Sequence, residues 1–168
     1  MTNITKYLLI ISALVVAIGG GLSFYYASQS YYAESLVYGN DQGIALNGYD
    51  PVAYFTEKYP IRGKADYEVQ WAGSTWRFYT PSHRDAFAAA PNNYAPQYGG
   101  YDPLSVAKGY TTPTDPEVWL VEAGKLYLFY SEERKKYWQE NRHNTLLQAN
   151  ANWERLRSQL QYRQSQKD

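Results

Sequence analysis

With no cysteine and two histidines in 168 residues, chemistry in this chain falls to imidazole, carboxylate, phenol and backbone groups. Three side chains stand out: His83, Asp50 and Asp102. His83 lies three residues after Thr80 in "TPSHRDAF", in the first turn of a predicted helix. There, free N–H groups and the positive dipole end favour a neutral, ligating imidazole; an exposed or capping histidine is the other reading. His143, in "ENRHN" near a helix junction, reads as solvent-facing. Asp102 closes the stretch "QYGGYD". Gly99 and Gly100 permit positive φ and close backbone approach, Tyr98 and Tyr101 flank the space they leave, and Asp102 puts a carboxylate at its rim. Such a loop builds a pocket for a small ligand. The same residues also read as packing tyrosines, with Asp102 opening the turn before Pro103. His83, Asp102 and either Asp50 or a tyrosine could form a nitrogen–oxygen site for a divalent metal ion, although no pair has the spacing of a known ligand motif.

Other chemistries lack their residues. There is no G-x-S-x-G elbow, and neither histidine has an evident serine partner. The tripeptide His83-Arg84-Asp85 matches a kinase catalytic loop only superficially, since the asparagine five positions beyond the aspartate and the glycine-rich loop are both missing. Lys+Arg and Asp+Glu balance at 16 each, which argues against nucleic acid as a partner. A binding module is therefore favoured over an enzyme. A structural or protein-interaction domain, engaging another envelope protein and no small ligand, is the alternative.

The elements that must position these residues follow from periodicity. Tyr67, Val69 and Trp71 alternate with Glu68 and Gln70, "AGS" turns the chain, and Trp76 and Phe78 alternate with Arg77 and Tyr79, the pattern of a hairpin with one aromatic face. Thr80 then caps a helix that has Pro81 at its first position, packs through Phe87 and stops at Pro91. The stretch "VWLVEAGKLYLFYSEERKKYW" repeats this grammar, with Ser131 as the cap. A shift of 51 positions lays Ala72-Gly73 on Ala123-Gly124, Phe78-Tyr79 on Phe129-Tyr130 and Phe87 on Trp138. Leu146, Trp153, Leu156 and Leu160 form one stripe of a C-terminal amphipathic helix. The expected class is α+β: small antiparallel hairpins with packed helices, in two pseudo-repeated hairpin–helix halves.

The amino terminus sets the expected location. "YLLIISALVVAIGGGL" (7–22) carries no charge and approaches the roughly 20 residues of a membrane-spanning helix, with Tyr25 and Tyr26 as an interfacial belt. Residues 7–26 are the expected membrane contact within an uncleaved signal anchor (1–27), because the nearby alanines lack a small residue at the third position before a cut. A cleaved secretory signal is the alternative. Either way the globular part lies outside the cytoplasm, on the periplasmic side of the inner membrane if anchored. A tether (28–43), a domain (44–153) and a helical tail (154–168) complete the expected organisation.

"LNGYDPVAYF", the aromatic hairpin, "HRDAFAAAPNNYAPQYGGY" and "GKLYLFYS", in that order, resemble the exported branch of the YHS domain family over Ile44 to Trp153. The resemblance implies a small α+β domain, a bacterial-envelope setting and membership in a group associated with metal binding. Exported relatives often continue QYGGY with cysteine and alanine, where this chain has Asp102 and Pro103. A hard carboxylate thus stands in place of a soft thiolate, and a Cu(I)- or zinc-thiolate role loses its ligand.

Overall fold

Why two hairpins of similar sequence should both be stable is answered by their packing. The computed structural model describes residues 35–166, so the expected membrane segment at 7–26 and the last two residues lie outside the described residues. The order is a 3₁₀ turn Leu46–Gly48, α1 Ala53–Thr56, β1 Lys64–Trp71, β2 Ser74–Phe78, α2 Pro81–Ala89 and α3 Pro91–Tyr94. It continues with a 3₁₀ turn Gln97–Gly100, α4 Pro103–Ala107, β3 Asp115–Glu122, β4 Lys125–Phe129, α5 Glu132–Glu140 and α6 Arg142–Gln164. The class is α+β with two two-stranded antiparallel sheets, β1–β2 and β3–β4. Among the described residues no helix is long and apolar enough to cross a membrane.

The expected caps are made. The Thr80 hydroxyl accepts from the His83 amide at 3.2 Å, and the Ser131 hydroxyl from the Arg134 amide at 3.4 Å. Both hairpins turn through Ala-Gly with positive φ at both residues, 51° and 74° at Ala72-Gly73 and 50° and 71° at Ala123-Gly124, the geometry that matches strand twist in a two-residue turn. Irregularities fall at matching points, between Lys64 and Glu68 and between Asp115 and Trp119.

The recurrence reaches further back than the hairpins. Gly48-Tyr49-Asp50-Pro51 and Gly100-Tyr101-Asp102-Pro103 are the same tetrapeptide, each leaving a 3₁₀ turn with positive φ (Asn47 54°, Gly48 87°; Gly99 62°, Gly100 85°) and entering a short helix. Each half thus runs 3₁₀ turn, aspartate, short helix, hairpin, helix.

The halves differ where they meet. In β4, Leu126 and Leu128 face one core with Val37, Leu46, Tyr54, Trp76 and Phe87, whereas Tyr127 and Phe129 face the other with Tyr98, Val106 and Trp138. A strand buried on both faces must be apolar at successive positions, and "LYLF" is. The matching strand β2 has Thr75 and Arg77 on the face that in β4 carries leucine, with Arg77 paired to Glu68 on the surface at 2.8 Å. That face needs no apolar cover and has charge instead.

Helix α6 spans both halves. Ala149, Leu156 and Leu160 are buried in the second core, with Leu146 and Trp153 packed partly against it. The Asn152 side-chain amide donates to Ala107 O at 2.8 Å, and Gln164 Nε2 reaches Gly73 O at 3.4 Å, at the tip of the first hairpin. The expected domain edge at Trp153 therefore falls inside one continuous helix. Likewise, within the expected tether, Val37 is buried and the Tyr38 amide donates to Gly99 O at 2.8 Å.

Candidate functional site

Asp50 and Asp102 are both fully buried, and each spends its carboxylate on tying its own half together. One oxygen of Asp50 caps α1, accepting from the Val52 amide at 2.8 Å and the Ala53 amide at 3.4 Å. The other accepts from the Tyr79 amide at 2.8 Å and sits 2.7 Å from His83 Nδ1. Asp102 repeats the arrangement: Leu104 and Ser105 amides on one oxygen at 2.9 and 3.1 Å, and the Tyr130 amide on the other at 3.0 Å. In the place of His83 stands Arg134, whose Nε donates at 3.0 Å and Nη2 at 2.6 Å. Bonds from Asp102 hold the guanidinium's proton more tightly than usual, against the opposing effect of burial. Each carboxylate thus joins a helix start, a strand end and the next helix.

This arrangement separates the residues expected to share a metal. His83 and Asp50 are together in the first half; Asp102 is in the second, paired with Arg134. Among the described residues no group of three or more His, Cys, Asp or Glu is placed to hold a metal ion. His83 Nε2 lies 3.4 Å from Thr56 Oγ1 and 3.8 Å from Glu57, which sets a hydroxyl and a carboxylate beside the imidazole. Thr56, however, donates its proton to Val52 O at 3.1 Å. The matching imidazole position holds an arginine in the other half, so the shared job of His83 and Arg134 is to tie an aspartate to a helix.

The QYGGY loop is held from behind. The Tyr98 hydroxyl donates to Asn150 Oδ1 at 2.8 Å and the Tyr101 hydroxyl to Ser35 O at 2.7 Å. Burial pushes both phenol pKa values up, with Tyr127 adding to it at Tyr98 and Tyr38 at Tyr101, so both stay protonated donors. A Cβ on Gly99 would overlap Leu36 O and meet Trp153 Cη2 at 3.3 Å. The glycine is required by close chain approach as well as by its φ of 62°.

Tyr98 and Gly99 border a cleft of about 660 Å³, within the range of small-molecule sites. One wall is the first hairpin, with Trp71 set edge-to-face on Trp76 at 5.7 Å. α6 also lines it, with Trp153 set edge-to-face on Tyr98 at 5.9 Å. Asn92 lines it from α3, Gln97 from the second 3₁₀ turn, and Glu154, Arg157 and Gln161 from α6. Of the loop residues expected to bind a ligand, Tyr98 and Gly99 line this cleft and Gly100, Tyr101 and Asp102 do not.

Sequence reasoning missed Trp71, Trp153, Glu154, Arg157 and Gln161 as wall residues. A signal existed on α6: positions 150, 154, 157 and 161 form a polar stripe at helical spacing beside the leucine stripe. The chain matches no known protein family, no curated protein and no solved structure.

Proposed function

We propose that this chain is a YHS-like binding module of the bacterial envelope, anchored in the inner membrane through residues 7–26, that holds a small organic ligand in the cleft between Trp71 and Trp153. The observation that carries this reading is the combination of two half-buried indoles, each set against a second aromatic ring, with polar side chains lining the same cleft. Aromatic walls with a few convergent polar groups are the usual make-up of a ligand site. A metal ion is the weaker occupant: the Asp102 oxygens already receive three amides and a guanidinium. The anchor rests on the charge-free run at 7–22.

The full-length chain, extracted from membranes in mild detergent, is the material for the test. Native mass spectrometry and calorimetry against a broad panel of metabolites and metal ions should detect a small organic ligand, lost in the Arg157→Ala/Gln161→Ala double variant. No uptake from the panel, or binding indifferent to that change, would remove the cleft from consideration. For the topology, mass spectrometry of the membrane fraction should recover Thr2 to Gln29, and a reporter fused at Asp168 should respond outside the cytoplasm; a mature start near residue 28 or 34 would overturn the anchor.

A further inference from the structure

We infer that the ligand of this cleft is a saccharide, an inference that rests on the cleft being a binding site. A sugar ring offers weakly polar C–H faces and a perimeter of hydroxyls that both donate and accept. A site for it needs flat aromatic surfaces above or beside the ring and planar polar side chains at its edge. The cleft has both. Trp71 and Trp153 are half-buried and line the cleft, and each indole packs edge-to-face on a neighbouring ring, Trp76 or Tyr98. That fixes the stacking surfaces before a ligand arrives.

Around them, Asn92, Gln97, Glu154, Arg157 and Gln161 line the space, and none of these side chains has a hydrogen-bonding or ionic partner among the described residues. Asparagine and glutamine present a donor pair and an acceptor side by side, carboxylate two acceptors and guanidinium a fork of donors. Adjacent hydroxyls on a sugar match that spacing and can satisfy either polarity.

The same inventory decides against other classes. An apolar chain such as a fatty acid would cover several polar groups without pairing them, at about 1–3 kcal/mol for each group left unsatisfied. A strongly anionic ligand finds one arginine, with Glu154 three residues away on the same helix facing the same cleft. A planar aromatic acid could stack on an indole but would have too few edge groups to meet the amides of Asn92, Gln97 and Gln161 together. A neutral polyhydroxylated ligand meets all of them.

The test is ligand-observed NMR and calorimetry on the full-length chain in detergent. The probes are oligosaccharides of glucose, mannose and N-acetylglucosamine, run beside decanoate, indole-3-acetate and inorganic phosphate. Binding of at least one oligosaccharide is expected, weakened roughly two- to tenfold by Trp153→Leu, as the loss of one stacking contact implies. Because Trp153 also packs on Tyr98, the exposed Glu154→Gln and Gln161→Ala variants serve as the second pair. Each should weaken the same oligosaccharide severalfold while leaving the urea midpoint unchanged. Binding of decanoate, indole-3-acetate or phosphate alone, sensitive to the cleft variants, would refute the saccharide and keep the cleft as a site. No cleft-dependent binding from any probe, together with a negative metabolite panel, would refute both.

Discussion

Replacing either buried aspartate by asparagine changes no volume and removes one charge, yet the two substitutions should differ in cost. At position 102 the new amide NH₂ must face the Tyr130 amide and Arg134 Nε, both at 3.0 Å. Both are donors, and arginine can never accept. Breaking a buried ion pair costs about 3–5 kcal/mol; because the Arg134 side chain is 27% exposed, the lower end, about 3 kcal/mol, is the expected loss. At position 50 the amide faces the Tyr79 amide at 2.8 Å and His83 Nδ1 at 2.7 Å. Imidazole can move its proton to Nε2, where Thr56 Oγ1 lies 3.4 Å away, and accept at Nδ1. One conflict then remains, worth about 1–2 kcal/mol. Urea denaturation followed by tryptophan fluorescence measures the difference. With a slope of about 1–3 kcal/mol per molar, that difference of about 1–2 kcal/mol means Asp102→Asn should unfold at least about 0.3 M earlier than Asp50→Asn. Equal midpoints, or a larger loss at Asp50, would refute the assignment of Arg134 and His83 as matching partners with different acceptor chemistry.

Three further outcomes follow from the packing. Tyr54, Tyr98 and Tyr101 have phenol pKa values raised above 10.0, chiefly by burial. Their contribution is fully present below pH 10 and is lost as pH rises above it, since the unfolded chain ionises first; urea midpoints should hold from pH 8 to 9.5 and fall steeply by pH 11, and a flat profile would contradict this. Truncation after Trp153 removes Leu156 and Leu160, which are 7% and 4% exposed, at about 2–5 kcal/mol each; the shortened chain should lose its cooperative transition, and a retained sharp transition would make 154–168 dispensable. Ala72→Asn and Ala123→Asn place a residue that tolerates left-handed backbone where φ is 51° and 50°, and each should raise stability by a few tenths to about 1 kcal/mol in the same urea assay.

The two hairpins, their Ala-Gly turns and the Thr80 and Ser131 caps were legible because each depends on a pattern within about ten residues. The full reach of the recurrence was not. The tetrapeptides at Gly48 and Gly100 lie 52 residues apart, whereas β1 and β3 begin 51 apart, so a rigid shift that aligns the hairpins slides past the aspartates. Without that alignment Asp102 looks like a rim carboxylate; with it, Asp102 is the counterpart of Asp50, and both hold helix starts. The cleft was illegible for a different reason. Trp71 and Trp153 are 82 positions apart in sequence and line one cleft because α6 runs from the second half to the turn of the first hairpin. No local period encodes that approach. Tyr98 and Gly99 drew notice through the unusual composition of their loop, and they line the cleft.

The five tryptophans provide the most direct readout of the central claim, that ligand enters between Trp71 and Trp153. In ¹⁵N-labelled full-length chain each indole N–H gives its own resonance, and two of the five rings, Trp119 and Trp138, lie away from the cleft lining. Titration with the oligosaccharides should shift the Trp71 and Trp153 indole signals in a saturable way and leave Trp119 and Trp138 in place. Saturable shifts confined to Trp119 or Trp138, or no saturable indole shift with any probe or metabolite, would contradict the account.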